Sequence, residues 1–498
     1  MATFFDGKVQ VAHPDRHYIG GEWIPSSSTS RFDLISPTTE AVTGQVAAAG
    51  EVDVDRAVAA ARDAFDQGPW PLMNPAERSE YITKLAERLR GRIEELAHAW
   101  TGQIGVAHGY AAVGYAMAVD FFEAQVKTAA SFPWEEQRPT AYPDSIALVR
   151  QEPVGVVAAI VPWNAPFFST AIKVAPALMA GCTVVLKPSP ETPLEAYILA
   201  ECAEAAGFPP GVLNVIAADR DASDYLVRRP GVDKVSFTGS TETGKRIAAV
   251  CADRVARVAL ELGGKSPAIV LEDADIDQVT DVMASSLSEV SGQVCVNMTR
   301  YLIPESLKDE FIASMVQKLE KITVGDPYAP ETTMGPLATR RQIEKVEWFV
   351  QKGLEEGAQL ATGGKRLPHA AGYYFEPTLF VDVDNMSTIA QEEIFGPVAC
   401  VTTYRDIDDA IRLANESKFG LAGAIFTNDS SAAYRIATAV KAGSLAQNGL
   451  KPDFSIAHGG FKQSGIGREG GEEGLKSYLE MKTIVLDALP EAAAGASS

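Results

Sequence analysis

Three side chains far apart in this chain carry complementary chemistry. Cys295 lies in EVSGQVCVNMTR (residues 289–300), among small and polar neighbours and just after Gly292, which lets the backbone turn. Glu261 lies in LELGGKSP, at the end of an apolar run and before two glycines that permit close approach of other groups. Asn164 lies in VPWNAP, between two prolines that stiffen the loop and remove backbone donors. A thiol can attack a carbonyl carbon, a fixed amide can hold the resulting oxyanion, and a carboxylate can activate water to release the product. Each residue taken singly also fits a structural role: a core thiol, a paired carboxylate, a turn-forming amide. Their combination and order favour an enzyme.

A second set of residues suits a phosphorylated ligand. FTGSTETG (237–244) follows an apolar run and opens a helical pattern. Gly239 and Gly244 are too far apart for the G-x-G-x-x-G fingerprint, yet a helix N-terminus offers free N–H groups to a phosphate, and Ser240 adds a hydroxyl. The same residues equally describe a serine-capped helix. Lys187 directly follows the run CTVVL in KPSPETP, where a strand's carboxyl end would aim it at a ribose or phosphate. In EEIFGP, Glu393 could hold ribose hydroxyls, and the Phe395 ring could back a nicotinamide. GGFKQSGIGREGG (459–471) reads as a glycine-rich loop across the mouth of a site.

The elements that must position these groups alternate. From residue 154 onward, short β-branched runs (VGVVAAIV, CTVVLK, VLNVIA, VDKVSF, RVALEL) are separated by helical patterns. Continuous apolar strands with intervening helices imply a parallel sheet covered on both faces, the texture of a dinucleotide-binding domain. A second alternating region runs from about 270 to 450, with RYLIP, LFVDV, VACVTTY, LAGAIFT and GSLAQN as its strands. Before both, HYIGGEWI predicts a hairpin, VDVDRAVAAARDAF a helix capped by Asp53, residues 75–100 one long helix, and about 106–130 another. SIALVRQEP and the strand in SYLEMKTIVLDAL fall outside both alternating regions and suggest a small separate sheet. The tail EAAAGASS reads as loose.

Bulk properties narrow the function. At 498 residues the chain exceeds a single core. Its net charge of −21 disfavours nucleic acid and anionic membrane as partners. The longest apolar run stops at Pro162, too short to span a bilayer, and MATFFDGKVQ lacks a secretory pattern, so a cytoplasmic protein is expected. Five scattered cysteines without a C-x-x-C pair argue against a disulfide framework or a zinc site, and Cys182 and Cys400 read as core thiols.

PWNAP, KPS, FTGSTETG, ELGGKSP, GQVC, EEIFGP and GGFKQSGIGRE, in this order, resemble the aldehyde dehydrogenase superfamily. The resemblance implies an α/β fold with a Rossmann-like cofactor domain (1–132 and 153–264), a second α/β catalytic domain (265–460) and a small oligomerisation sheet (133–152 and 478–490). It implies oxidation of an aldehyde to a carboxylic acid by the hydrolytic route, in a homodimer or homotetramer. Cys295 is then the nucleophile, Glu261 the base and Asn164 the oxyanion donor, with Lys173 and Glu469 in proton transfer. Trp163, Lys187, Gly239, Ser240, Gly244, Leu262, Glu393 and Phe395 are implied to contact the cofactor. No metal is implied. Pro190 stands where the family often has a ribose-binding glutamate, and Arg220 lies in AADRDAS. NAD is therefore expected to be preferred and NADP tolerated. His458, Glu289 and Ala165 replace bulky apolar groups frequent in the family, implying a roomier, more polar substrate pocket. A CoA-acylating enzyme and a cysteine hydrolase without redox chemistry are the competing readings.

Overall fold

The computed structural model describes residues 2–368 and 371–489; the EAAAGASS tail lies outside them. Two large sheets organise the chain. The first has eight strands in the order Gly465–Ile466, Arg257–Glu261, Lys234–Thr238, Val156–Ile160, Thr183–Lys187, Leu213–Val215, Arg16–Ile19 and Glu22–Pro25. The five central strands are parallel, and the flanking ones pair antiparallel. Chain order reverses at Val156–Ile160, between Lys234–Thr238 and Thr183–Lys187, so a crevice opens beyond its carboxyl end.

The apolar runs form central strands because both faces are covered. Along Val156–Ile160, Val157 and Ala159 join one core, and Val156, Ala158 and Ile160 join the core on the opposite face. Complete burial of one such valine or isoleucine contributes about 1.5–3 kcal/mol. The helix Pro166–Ala180 begins with proline at its first turn, is buried almost throughout, and ends at Gly181, whose φ of 95° suits only glycine.

The second sheet has seven strands, in the order Gln359–Thr362, Thr378–Val381, Val398–Tyr404, Met298–Pro304, Ser266–Val270, Ala422–Phe426 and Ser444–Gln447. All pairs are parallel except the first. A third sheet joins Leu479–Leu486, Ile146–Pro153 and Glu135–Arg138, all antiparallel. Among the described residues no helix is long and apolar enough to cross a membrane.

The hairpin at Gly20–Gly21 forms with φ of 64° and 83°, as its residues demand. Two expectations change. The helix over 75–100 is two helices, Pro75–Arg90 and Ile93–Ile104. The break falls at Gly91–Arg92, where the Arg92 guanidinium is drawn to Glu95, to Glu201 and to the carbonyl of Gln10. Asp53 does not cap its helix from outside. The helix starts at Glu51 after Gly50, and Asp53 sits in the first turn, accepting from the Gly50 N–H at 3.0 Å.

Candidate active site

The segment before Cys295 is bent in a way few residues tolerate. Val290, Ser291 and Gly292 have φ of 48°, 55° and 73°, a conformation that costs roughly 1–2 kcal/mol for each non-glycine residue. Hydrogen bonds hold it. The Ser291 hydroxyl donates to the carbonyls of Gly335 and Pro336 at 2.8 and 3.0 Å. The Gln293 amide donates to the Val290 carbonyl at 2.8 Å and accepts from the Ala338 N–H at 3.0 Å. The turn presents Cys295, which is half-buried while the other four cysteines are fully buried.

Asn164 reaches the same turn from the crevice of the first sheet. Its Nδ2 donates to the Gln293 carbonyl at 2.9 Å, and its own carbonyl accepts from the Trp100 indole at 2.9 Å. Only one of its two amide hydrogens is used there.

Glu261 ends its strand level with Thr238 on one side and Gly465 on the other. The two glycines that follow allow close approach. A Cβ at Gly264 would stand 2.4 Å from the Cys295 carbonyl, and one at Gly263 would stand 2.5 Å from the Glu393 carboxylate. The Gly264 N–H donates to Glu393 Oε1 at 3.1 Å. Ser464 fixes this pair: its hydroxyl donates to the Gly263 carbonyl at 2.7 Å, and its carbonyl accepts from the Leu262 N–H at 2.8 Å. A Cβ at Gly459 would stand 2.8 Å from Glu261 Oε1, so the GGFK loop does close over this carboxylate.

Charge around these groups is arranged by burial. Burial, then the negative charges of Glu393 and Glu261, pushes the Cys295 thiol up to about 12, against the backbone N–H groups of Val296 and Cys295. Burial, then Glu469, holds the Glu261 carboxyl well above the usual carboxylate range, opposed by Lys173 and Arg468. Glu261 Oε2 is buried without a hydrogen-bond partner, and His458 Nε2 stands 4.0 Å away. Lys173 and Glu469 form a fully buried ion pair, and a backbone bridge from Glu469 to His458 carries the pair to the edge of Glu261.

The cofactor-type residues lie along the crevice. Lys187 is buried at a strand end, and its ammonium makes no hydrogen bond or ion pair within the described residues; burial lowers it to about 8. Ser240 caps the helix Thr241–Asp253, accepting from the Thr243 N–H at 3.3 Å and donating to the Thr243 hydroxyl at 2.9 Å. A Cβ at Gly244 would collide with Leu262, 2.4 Å away, so this glycine seats the helix on the strand end. Trp163 and Phe395 meet edge to face, ring centroids 5.3 Å apart. Phe395 has φ of 62°, held by the Gln342 amide donating to its carbonyl at 2.5 Å.

Glu289 faces a cavity of about 460 Å³ lined also by Tyr110, His108 and Tyr328, where it accepts from the Tyr110 hydroxyl at 3.4 Å. Gln293, Ser464 and Trp100 fix the site's geometry but were not marked by the sequence. Gln293 sits inside GQVC and Ser464 inside GGFKQSGIGRE; Trp100 carries no local signal.

The model of the aldehyde dehydrogenase family matches residues 23–484. The chain belongs to the aldehyde dehydrogenase family. It is 40% identical over 470 residues to a geranial dehydrogenase of Castellaniella defragrans, covering 94% of this chain and 98% of that one. Among solved aldehyde dehydrogenases, the betaine aldehyde dehydrogenase of Staphylococcus aureus in complex with NAD+ superposes with a TM-score of 0.94 at 36% identity, over 97% of this chain and 96% of the other. The aldehyde dehydrogenase of Mycobacterium tuberculosis, also with NAD+, gives 0.92 at 39% identity, over 96% and 99%.

Proposed function

We propose that this aldehyde dehydrogenase oxidises an aldehyde to a carboxylic acid with NAD, through a covalent adduct on Cys295. The observation that carries the reading is the meeting of Cys295, Asn164 and Glu261 at one cleft, with the strand ends of the nucleotide crevice opening onto it. The crevice suits a dinucleotide. A buried lysine without a partner among the described residues, the serine-capped N-terminus of a thirteen-residue helix and a carboxylate lodged against two glycines, with one oxygen on the Gly264 N–H, line it. Lys187 and Glu393 would bind ribose hydroxyls, Ser240 and the N–H groups of its helix the pyrophosphate, and Trp163, Leu262 and Phe395 the cleft walls.

The chain's own residues then act in order. The Cys295 thiol gives up its proton to solvent water in the cleft, its sulfur bonds to the aldehyde carbon, and the carbonyl π electrons move to oxygen, where the second amide hydrogen of Asn164 meets them. NAD, when bound, supplies the acceptor for the hydride that leaves this carbon as the thioester forms. Glu261 takes a proton from water, the water oxygen bonds to the thioester carbon, and the carbon–sulfur bond breaks to give the acid and the thiolate. The orphaned Glu261 Oε2 is placed to receive that proton, and Lys173 and Glu469 can pass it on through their buried pair.

NAD is preferred to NADP in this reading. The carboxylates of Glu191 and Asp219 act on Lys187 and would repel a 2′-phosphate. The division into a cofactor domain (1–132 and 153–264), a catalytic domain (265–460) and an oligomerisation sheet is supported by the three sheets, the last being the subunit contact of a homodimer or homotetramer.

Absorbance of reduced nicotinamide across an aldehyde panel tests the reaction. Purified protein should reduce NAD and release free acid without CoA, and Cys295→Ala should abolish turnover while cofactor still binds. Oxidation retained in that variant, or acid formed only as a CoA thioester, would refute the assignment.

A further inference from the structure

Three potential ligands converge beside the 460 Å³ cavity, one of which, His108, lines it. Glu94 and His98 lie four residues apart on one face of the helix Ile93–Ile104, and His108 opens the helix His108–Ser131. Both histidines address the same carboxylate oxygen: Glu94 Oε1 is 3.5 Å from His98 Nε2 and 2.9 Å from His108 Nε2. One donor atom from each of the three lies within 4.8 Å of the others. A tetrahedral ion with bonds of about 2.0–2.1 Å holds its ligand atoms roughly 3.3 Å apart.

We propose that Glu94, His98 and His108 bind a divalent transition-metal ion of the zinc class, the fourth position being left to water on the exposed side. Two neutral imidazoles and one carboxylate form a donor set that favours zinc over magnesium or calcium, which prefer oxygen. The surroundings hold the ligands in place. His108 Nδ1 lies 3.4 Å from the Thr101 hydroxyl, the His108 N–H donates to the Pro327 carbonyl at 2.9 Å, and the Tyr328 hydroxyl donates to the His98 carbonyl at 3.5 Å. Among the described residues, His98 Nδ1 is buried without a partner. The imidazoles now stack 4.2 Å apart at 7°, so capture tilts both rings toward the ion. Lys8, whose ammonium lies over the Tyr328 ring at 3.4 Å, is the opposing charge, offset by Glu94 and Glu95. An ion here would clamp two helices to the loop at Pro327–Tyr328, which continues to Gly335 and Pro336, the acceptors for Ser291.

The site is independent of the oxidation reaction, and its test reads binding. Full-length protein carrying Cys295→Ser, which removes the competing thiol, is titrated with Zn2+, Mg2+ and Ca2+ by calorimetry, and its metal content is measured after dialysis. One Zn2+ per chain is expected, with no uptake of Mg2+ or Ca2+. His98→Ala and His108→Ala in that background should weaken binding more than about 100-fold, beyond the effect of losing an outer partner. Glu94→Gln, at a side chain that is 69% exposed, keeps the fold if either histidine variant unfolds, and it should also weaken binding. Absence of zinc binding, or binding unchanged in Glu94→Gln and in whichever histidine variants fold, overturns the proposal.

Discussion

Burial sets the working chemistry of Cys295 and Glu261 in opposite senses. A thiol pushed up to about 12 rests protonated at neutral pH, so attack requires removal of its proton within the cleft. A carboxyl held above the usual carboxylate range is a stronger base than an ordinary glutamate. Only the ionised form of Glu261 can activate water. Release of the acid should therefore speed up as pH rises through that raised pKa and slow as pH falls below it. Single-turnover rates of thioester hydrolysis against pH should show this limb, and Glu261→Gln should remove it while leaving formation of the adduct. Asn164→Ala should lower kcat by about 10²–10³, the range found for loss of one oxyanion donor, with a smaller change in KM. An equal fall in substrate binding would point to a structural role for Asn164 through its bond to the Gln293 carbonyl.

At the scale of elements, the site depends on turns that accept no Cβ. Gly292 combines φ of 73° with an ideal Cβ only 2.3 Å from the Gly396 carbonyl. Gly292→Ala should shift the Cys295 turn, losing most activity and more than about 1 kcal/mol of stability in denaturant unfolding. Asp53 shows the same reasoning on a helix start. Burial would raise its carboxyl, but the Ser27 hydroxyl and the N–H groups of Gly50 and Ser27 prevail and lower it. A lowered carboxyl stabilises the fold above its unfolded pKa of about 3.9, and that contribution is lost as pH falls through the folded value. Asp53→Ala should cost about 2–3 kcal/mol at pH 7, and the difference from the parent should shrink below pH 4.

Much of this was legible in the sequence because the chemistry left local marks. Strands buried on both faces read as unbroken β-branched runs, and the site residues sit where those runs stop. What stayed hidden lacks such marks. The break at Gly91–Arg92 follows from contacts to Glu201 and Gln10, remote in sequence, while the flanking residues keep a helical period throughout. Trp100 matters only because the distant Asn164 carbonyl arrives beside it. The contact of Glu289 with Tyr110 joins separate elements and leaves no local mark.

Across the whole molecule, the three-stranded sheet is separate from both larger sheets, and its edge strand Leu479–Leu486 carries exposed apolar side chains. Met481 and Val485 on Leu479–Leu486 are 69% and 50% exposed. If this sheet is the subunit contact, Met481→Arg should shift the mass seen by light scattering toward the monomer while the far-ultraviolet spectrum is kept. An unchanged mass would remove the sheet from the contact.

The pairing of Glu261 with Gly465 also imposes a schedule on synthesis. The strand bearing Glu261 emerges from the ribosome roughly 200 residues before the strand that borders it, a wait of about 10–40 s at ordinary translation speed. Until then the nascent protein presents an unpaired β edge beside its future water-activating carboxylate. Chaperone cover should be needed most in that interval, and a message truncated ahead of the last forty or so codons should yield an aggregation-prone, inert product.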